Sequence, residues 1–394
     1  SIEAGALDEI LIGGFFDSVA GQRLPHVARY NISTQTWQPL GTGVGNDNGT
    51  DGPVRDIIYN MGTYYLAGEF DHAGTVVANN IAIYNFAGFQ PVGLGADNIV
   101  RGMGFDSMGK LVVGGSFMTA GDSVSYGLAK VDFDPMDMST PPVWKALTPG
   151  KHNGSDGFIS KAIVANGELY VCGTFSWLGT EQHRNIAKWD GTKWVALADG
   201  IQGFVNDIIW YNNQLYAGGY FAVQQGTIYS PLIARWDGDE WLAVGQGIGG
   251  SVASQVTALE TDGQSLFVAG YELSEAANSN GTVININNIA RWDGTQWHQV
   301  GTGIGAGSIV QDLQWHDGSM YASGSFTLAG GQTVANIAKW DGVNWSALGA
   351  GINGMVYSLA SDNNILYAGT KGAPVYTIPF GYVGYCLPAC QSKA

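Results

Sequence analysis

The feature that most constrains this chain is a segment of sequence that it repeats several times. The residues at 185–203, NIAKWDGTKWVALADGIQG, return at 336–354 as NIAKWDGVNWSALGAGING. Further copies begin at Leu232 and Asn288, and a looser copy begins at His26. A chain that repeats a segment in this way builds one structural unit several times, because each copy has the same local preferences.

The longer consensus around this segment predicts strands and tight turns. Each copy contains V-x-D/x-L, then L-Y-A-G-G-x-F, a variable loop, and N-I-A-R/K-W-D-G-x-x-W-x-x-L-G. Short apolar pieces bounded by Gly, Asp or Asn are typical of strands. The Asp-Gly pair between two aromatic strands predicts a two-residue type I′ hairpin, because both of its turn residues need positive φ. One copy therefore predicts four antiparallel strands, A to D, which suits a chain with 59 glycines and only 13% charged residues.

The spacing of the copies predicts the fold class. An aromatic residue opens each strand D, at Trp37, Phe89, Trp144, Trp194, Trp241, Trp297 and Trp345. The mean spacing of about 51 residues lies near the propeller periods of roughly 40 to 50 residues. A ring of sheets covers the faces that a single sheet would expose. We therefore predict an all-β chain with one β-propeller domain over residues 1–394.

The number of blades is less constrained than the fold. Eight segments match strand B, whereas only seven match strand D. Eight four-stranded antiparallel blades are favoured, with Ile2–Ala4 as the outer strand of the last blade. Seven blades with an overlapping closure are the alternative.

Two parts of the consensus resemble known families. The strand ending in GG, followed by VARYNISTQTW, resembles the kelch repeat. The segment NIAKWDG with W-x-x-L-G-x-G-I-x-G, together with L-Y-A-G-G-x-F, is more similar to the repeats of Rax2-type cortical polarity proteins of fungi and related bacterial surface proteins. This resemblance implies an extracytoplasmic, N-glycosylated binding or scaffold protein. The matching motifs are structural and imply no catalytic residues.

The charge of the chain excludes some partners. The formal net charge is -16, from 33 acidic and 17 basic residues. Nucleic acids and anionic membrane surfaces both need a basic face. The sequence also has no run of 18 apolar residues. We therefore expect neither a nucleic-acid partner nor direct membrane insertion.

Asparagines and cysteines indicate an oxidising, extracellular location. Five N-x-S/T sites fall in predicted turns or loops and are expected to be glycosylated: Asn31, Asn48, Asn153, Asn280 and Asn344. Cys386 and Cys390, in the tail at 380–394, are the candidates for a local disulfide, and metal binding is the less favoured alternative because no His lies near them. Cys172 replaces a small residue of a strand B, so we expect it to be buried.

Two loops between strands D and A share an N-G-T/S-D-G core. Asp47 and Asp51 lie in the loop at 45–53, and Asp156 lies in the loop at 151–158. With Asn48 and Asn153 they would offer oxygen ligands to Ca²⁺, although no distal bidentate Glu follows. The alternative is a glycosylated or merely tight turn. No other cofactor is indicated.

A third set of acidic residues recurs within strand A. Asp56, Asp207 and Asp312 occupy the same position in VRDI, VNDI and VQDL. They would partly line the channel of a propeller and bind a cation or a basic group there. The alternative, which is favoured, is a hydrogen bond from each Asp to the backbone of the neighbouring blade.

The irregular regions indicate where a partner would bind. The insertion at 131–144 contains Phe133, Met136, Met138 and Trp144, an apolar surface suited to a protein partner or a second copy. Exposed aromatic residues such as Trp177 and Tyr229 would instead stack on glycans.

The sequence favours a binding protein over an enzyme. The six histidines are scattered over different loops, and neither H-E-x-x-H nor G-x-S-x-G occurs. No residue is assigned a catalytic role. The predicted function is a non-catalytic extracellular scaffold for protein binding or assembly. A glycan-binding lectin is the alternative, and a carbohydrate-active hydrolase with channel-mouth carboxylates is the second alternative.

Overall fold

The computed structural model describes residues 2–4, 9–19, 22–31, 33–34, 36–41, 49–106, 109–135, 139–146, 155–179, 181–361, 365–370 and 376–379. These residues form strands and turns, and no helix occurs among them. By their contacts the chain divides into two compact units, Ser1–Ala196 with Lys371–Val375 and Leu197–Thr370 with Tyr376–Ala394. The single domain over residues 1–394 stays a prediction, and the tail at 380–394 lies outside the described residues.

The first unit contains four repeats, each with strands A to D, and short two-stranded hairpins between B and C. Its strands are β1 Ile2–Ala4, β2 Glu9–Gly13, β3 Ser18–Val19, β4 Gln22–Arg23, β5 Val27–Asn31, β6 Thr36–Gln38, β7 Val54–Asn60, β8 Thr63–Gly68, β9 His72–Ala73, β10 Val76–Val77, β11 Ile81–Asn85, β12 Gly88–Pro91, β13 Val100–Phe105, β14 Leu111–Gly115, β15 Thr119–Ala120, β16 Ser123–Val124, β17 Leu128–Asp132, β18 Val143–Ala146, β19 Phe158–Ala165, β20 Glu168–Thr174, β21 Trp177–Leu178, β22 Glu181–Gln182, β23 Ile186–Trp189 and β24 Trp194–Ala196.

The second unit continues the pattern with longer strands in its first two repeats. Its strands are β25 Gly203–Tyr211, β26 Gln214–Gln225, β27 Ile228–Trp236, β28 Trp241–Ala243, β29 Ile248–Thr261, β30 Leu266–Ala277, β31 Val283–Asn285, β32 Ile289–Trp292, β33 Trp297–Gln299, β34 Ile309–His316, β35 Ser319–Ser325, β36 Leu328–Ala329, β37 Gln332–Thr333, β38 Ile337–Trp340, β39 Trp345–Ala347, β40 Val356–Ser361, β41 Ile365–Thr370 and β42 Tyr376–Pro379.

The predicted order of four antiparallel strands is confirmed in repeat after repeat. Repeat 1 is β1-β2-β5-β6, and repeats 2 to 5 follow as β7-β8-β11-β12, β13-β14-β17-β18, β19-β20-β23-β24 and β25-β26-β27-β28. Repeat 6 (β29, β30, β32, β33) and repeat 7 (β34, β35, β38, β39) are joined by one pairing of Tyr271 with Ile309. Repeat 8 has three strands among the described residues, β40-β41-β42. The number of blades stays a prediction.

The predicted role of the N-terminal strand is wrong. Strand β1 pairs antiparallel with β2, Ile2 lying opposite Ile12, so it is strand A of repeat 1 and not the outer strand of the last repeat. Only four residues separate Ala4 from Glu9. A connection this short favours antiparallel pairing of the two strands that it joins.

The hydrophobic core lies between consecutive sheets of each unit. Leu11 of repeat 1 packs in one cluster with Ile57 of repeat 2, and Ile233 of repeat 5 packs with Val256 of repeat 6. Every residue of β8 is buried, because this strand B has sheet neighbours on both edges and packed faces on both sides. The repeated apolar strands thus bury their faces against one another, as the sequence predicts.

The turn between strands C and D differs from the prediction in the WDG repeats. Trp189 pairs with Trp194, so the connection contains four residues rather than two. Within it Gly191 has a positive φ of 97°, whereas Asp190 does not. The Asp190 carboxylate instead accepts the backbone N–H groups of the two residues that follow the glycine. The aspartate thus acts as a side-chain acceptor that closes the turn. The same arrangement occurs at Asp237, Asp293 and Asp341.

The strand D tryptophans join consecutive repeats. Trp297 Nε1 donates a hydrogen bond of 3.1 Å to the carbonyl oxygen of Val244. The next residue, Gly245, has a φ of 64°, and a Cβ there would lie 2.8 Å from Trp297 Nε1. Glycine therefore suits this step of the consensus for both conformation and space, although Ala198 adopts a φ of 53° at the same step of repeat 4. Equivalent bonds join Trp144 to Val92, Trp241 to Leu197 and Trp345 to Val300.

Candidate functional site

Strand A carries a β-bulge at the same position in repeats 2 to 8. The register of its pairing with strand B shifts by one residue at this point. The first residue after the shift is Asp in three of the repeats. The shifts lie at Val54/Asp56, Val100/Gly102, Ile159/Lys161, Val205/Asp207, Val256/Ala258, Val310/Asp312 and Val356/Ser358. A bulge bends the strand and redirects the side chain that follows it.

The bulge directs each of these aspartates to the next repeat. In all three cases Oδ2 accepts a backbone N–H from strand A of the next repeat. The donor is the second residue after the register shift of that strand. The bonds join Asp56 to Met103 over 2.8 Å, Asp207 to Leu259 over 2.8 Å and Asp312 to Leu359 over 2.7 Å. The favoured expectation for these residues, a hydrogen bond to the neighbouring backbone, is confirmed. A role in a channel stays a prediction.

Other bulge side chains reinforce the same junctions. Asn206 Nδ2 donates to the carbonyl oxygen of Val256 over 2.8 Å, and Thr257 Oγ1 donates to the carbonyl oxygen of Val310. Both bonds run from one strand A to the next within the second unit. The sequence analysis missed these residues because a lone Asn or Thr in a strand has no motif.

The loop aspartates predicted to bind Ca²⁺ make hydrogen bonds within the protein. Asp51 Oδ1 accepts the backbone N–H groups of Asp71 and His72 over 2.9 and 2.8 Å, and its Oδ2 lies 2.9 Å from His72 Nδ1. Burial raises the pKa of Asp51, but the hydrogen bonds from His72 and Asp71 outweigh it and the net pKa is lowered. Asp156 accepts two N–H groups of the hairpin after strand B in the same way, at 2.7 and 2.9 Å.

These contacts explain the N-G-T/S-D-G loops as caps for the short hairpins between strands B and C. Asp97 of repeat 3 makes the same pair of bonds without the rest of the motif. Asp47, Asn48 and Asn153 lie outside the described residues. Across the described part of the chain, no group of three or more His, Cys, Asp or Glu side chains is arranged to hold a metal ion. Ca²⁺ binding stays a prediction.

The other predicted modification sites lie mostly in turns. Asn280 and Asn344 are exposed, whereas Asn31 is partly buried at the end of β5, where Oδ1 accepts the backbone N–H of Thr34. Cys172 is fully buried, as expected. Cys386 and Cys390 lie outside the described residues.

The insertion at 131–144 places its described aromatic residues in the core. Trp144 is 7% exposed and donates through Nε1 to Val92. Phe133 packs against the cluster of repeats 2 and 3, its ring centroid 6.2 Å from that of Tyr65. Met136 and Met138 lie outside the described residues. Trp144 therefore stabilises the first unit, whereas Phe133 is only partly buried, and partner binding by this insertion stays a prediction.

The second unit contains an exposed pair of aromatic side chains. Phe204 and Tyr220 are cross-strand partners on β25 and β26, 50% and 46% exposed. Their ring centroids are 6.0 Å apart at an interplanar angle of 33°. Both side chains stand on paired strands, so their positions are held without help from a partner. No sequence motif marks them, because each occupies an ordinary strand position of the consensus.

A groove lies beside the extended hairpin of β26 and β27. Its volume is about 530 Å³, and its walls include Tyr229, Gln246, Glu275 and Ser279. Tyr229 is 60% exposed. The Glu275 side chain covers Gly249, where a Cβ would lie 2.8 Å from its carboxylate. The groove thus combines one aromatic face with a carboxylate, an amide and hydroxyl groups. Trp177, the other residue predicted to stack on glycans, is 36% exposed on β21 of the first unit.

The asparagine before strand C is structural, and the sequence analysis missed its role. It has a positive φ in four repeats, 69°, 72°, 67° and 63° at Asn80, Asn185, Asn288 and Asn336. Asn336 Oδ1 accepts the N–H of Phe326, and its Nδ2 donates to the carbonyl oxygen of Ile352. Asn tolerates the left-handed conformation better than most residues. In these four repeats the N of the consensus therefore bonds to the backbone and marks no binding site.

Comparison with family models agrees with this structure. Residues 161–317 match the model of the Rax2 C-terminal β-propeller domain, and residues 8–31 match DUF5122, a β-propeller domain of unknown function. No curated protein sequence matches the chain. The described part of the chain contains no helix that could cross a membrane.

Several solved structures are similar to this chain at low sequence identity. Sqt1 of Saccharomyces cerevisiae has a TM-score of 0.56 and 10% identity, with 96% of this chain and 95% of that chain covered. The WD40 β-propeller domain of Doa1 has a TM-score of 0.47 and 12% identity, covering 82% of this chain and 91% of that one. The computationally designed Ika8 protein has a TM-score of 0.46 and 16% identity, covering 87% and 100%.

The fold predicted from the repeats is confirmed, and so is the resemblance to Rax2-type repeats, whereas the resemblance to the kelch repeat stays a prediction. The sheets are antiparallel and four-stranded in repeats 1 to 7. The chain is an all-β protein with a β-propeller fold, and its residues 161–317 are similar to the Rax2 C-terminal β-propeller domain.

Proposed function

We propose that this protein is a non-catalytic β-propeller that acts outside the cell as a scaffold for protein binding or assembly. The observation that carries the proposal is the exposed pair of Phe204 and Tyr220. Aromatic side chains dominate the energetics of protein interfaces. Residues held on paired strands lose little conformational entropy on binding, so the pair is suited to a recurring contact.

The proposed location rests on two further features. The repeats resemble those of an extracytoplasmic group, and the sequence contains five N-x-S/T sites. Asn280 and Asn344 are exposed, so an oligosaccharyltransferase product would be accommodated there without unfolding a sheet. The intact mass of the native protein, before and after glycosidase treatment, tests this. An unchanged mass would remove the main support for a secretory route.

The scaffold proposal is tested by replacing the aromatic pair. Phe204→Ser with Tyr220→Ser removes the pair, and Phe86→Ser is the matched control, because Phe86 is 84% exposed in a turn of the first unit. We expect sedimentation velocity of the full chain to show self-association, or cross-linking on the native cell surface to recover a partner. Either association should be lost in the double variant and kept in the control. An association unaffected by the double variant, or none by either method, contradicts the proposal.

Glycan binding is a second candidate, favoured by the groove beside Tyr229. An aromatic face next to a carboxylate and amide is the usual combination for a sugar, whose C–H groups pack on the ring while its hydroxyls are hydrogen-bonded. A glycan array with the full chain, Tyr229→Ala and Glu275→Gln tests it, again with Phe86→Ser as control. Binding that both groove variants remove supports a lectin, whereas an array without binding contradicts this candidate and leaves the scaffold proposal intact.

A further inference from the structure

The junction between repeats 3 and 4 differs from the junctions that Asp side chains join. The first residue after the register shift of β13 is Gly102, which has no side chain to reach the neighbouring strand. The residue that occupies the place of Met103 in β19 is Ala162. Ala162 is exposed, whereas Leu259 and Leu359, whose N–H groups donate to Asp side chains of other repeats, are buried. The Asp bond found at three other junctions is therefore absent from this one.

A cavity occupies the place of the missing side chains. It has a volume of about 380 Å³ and lies within the first unit, between strands A of repeats 2, 3 and 4. A Cβ added at Gly104 would meet no atom within 4 Å, and one at Gly102 would meet only Asp56 Oδ2, at 4.0 Å. The equivalent positions of repeat 5 hold Asp207 and Ile209. Two glycines thus open a space that side chains fill in another repeat.

The polar lining of the cavity favours an anion. Arg101 and Lys161 line it together with Asp56, so its charged side chains are two cations and one anion. The Arg101 guanidinium is held in place, with Nε donating to Ser116 Oγ over 3.2 Å and its centre 5.3 Å from the Phe158 ring. Only one of its five N–H donors is used in the bond to Ser116.

The apolar lining of the cavity and the charges around it limit the kind of anion that would bind. Val112, Leu128 and Leu169 form the apolar part of the wall. At physiological ionic strength charges beyond roughly 8 Å are screened, so the nearby cations outweigh the net charge of -16. A second carboxylate would approach Asp56 and be repelled. The cavity is also at the small end of the range of ligand sites, about 300 to 1,000 Å³.

We propose that this cavity binds a single carboxylate carried on a short aliphatic group. The carboxylate takes the place of the missing Asp, accepting the backbone N–H of Ala162 and hydrogen bonds from Arg101 and Lys161. The aliphatic group packs on the apolar wall. The carboxylate belongs either to a small organic acid or to the chain terminus of a peptide, since both offer the same chemistry. This site is independent of the partner surface at Phe204.

The test uses butyrate as the probe and butyramide as its neutral counterpart. Saturation-transfer NMR titrations of the full chain should show saturable binding of butyrate and binding of butyramide weaker by about tenfold or more. Gly102→Asp places a protein carboxylate in the cavity and should weaken butyrate binding by about tenfold or more. Arg101→Gln should weaken it too, whereas Lys193→Gln, in an exposed turn, should not.

One further variant and one further probe complete the test. Gly104→Val fills the cavity without a charge and should also weaken butyrate binding, which covers the case in which Gly102→Asp fails to fold. A peptide with a free C-terminal valine that binds more tightly than butyrate, and loses binding when amidated, assigns the site to a chain terminus. Weaker binding of the peptide assigns it to a small acid. Absence of saturable butyrate binding, equal binding of butyramide, or full binding by the folded glycine variants overturns the proposal.

Discussion

Two junctions between repeats, 5 with 6 and 3 with 4, are formed by equivalent sheets but differ in the side chains that join their strands A. In the former, Asp207 is 6% exposed and bonds to Leu259, while Asn206 bonds to Val256. In the latter, the corresponding position is Gly102 and a cavity of about 380 Å³ is present. Repeats 3 and 4 nevertheless share a buried apolar cluster. Burial of the sheet faces therefore forms a junction, and the Asp bond adds to it.

The largest expected effect is the loss of the buried Asp bond. Asp207→Ala leaves the N–H of Leu259 buried without its acceptor, so we expect the free energy of unfolding to fall by about 2 to 3 kcal/mol. Gly102→Ala is the matched change in the other junction, and its effect should stay within about 0.5 kcal/mol. Urea denaturation followed by tryptophan fluorescence measures both. Equal losses would show that the two junctions do not differ in this way.

A smaller loss of stability is expected when Asn206, the residue within the bulge of β25, is replaced. Asn206→Ala removes the bond of 2.8 Å to the carbonyl oxygen of Val256, which should lower the free energy of unfolding by about 1 kcal/mol. Ser160 occupies the same bulge position in repeat 4 and is exposed. Ser160→Ala should therefore change little under the same denaturation conditions. A loss at Ser160 as large as that at Asn206 would argue against a specific role for the asparagine bond.

Introducing an Asp at the junction of repeats 3 and 4 should stabilise it. Gly102→Asp supplies an acceptor for the N–H of Ala162 in a space where its Cβ meets only Asp56, at 4.0 Å. We expect a gain of about 0.5 to 1 kcal/mol, reduced by repulsion from Asp56. Calorimetric melting of the variant checks the sign, and Gly102→Ala separates the effect of the carboxylate from that of the backbone. A lower melting temperature for Gly102→Asp alone would mean that repulsion exceeds the new bond.

The smallest expected effect concerns acid stability and extends the comparison to the turns between strands C and D. The backbone hydrogen bond from Lys193, followed by the bonds from Thr192, lowers the pKa of Asp190 to about 2. Because the folded pKa lies below the unfolded value of about 3.9, the carboxylate contributes stability above pH 3.9 that is lost as the pH falls through about 2. Repeat 2 has Asn85 at its turn, where Oδ1 accepts the N–H of Ala87 without titrating.

Asp190→Asn copies the turn of repeat 2 and should therefore remove this part of the acid dependence. Melting curves of the parent chain and the variant, measured from neutral pH to about pH 2, should converge as the acid end is approached. An unchanged difference between the two curves over this range would contradict the assigned cause.

Some of the contacts between repeats could be anticipated from the sequence, and others could not. The repeated Asp of VRDI, VNDI and VQDL was expected to bond to a neighbouring backbone, because one residue type at one position of several copies indicates a common structural need. Asn206 and the pair of Phe204 and Tyr220 gave no such signal, since each occurs in one copy only. The apolar insertion gave no sign that Trp144 is buried and that Phe133 packs against the cluster of repeats 2 and 3.

By itself the sequence determined the strands, their order within a repeat and the propeller fold, because these depend on local preferences and on apolar faces that every copy must bury. Only the tertiary structure showed the bulge of strand A, the four-residue turn closed by Asp190 and the cavity at Gly102. Each of these depends on which backbone N–H or side chain of the next repeat comes within hydrogen-bonding or packing distance. Such distances arise from the packing of one sheet on another, and a period in the sequence does not encode them.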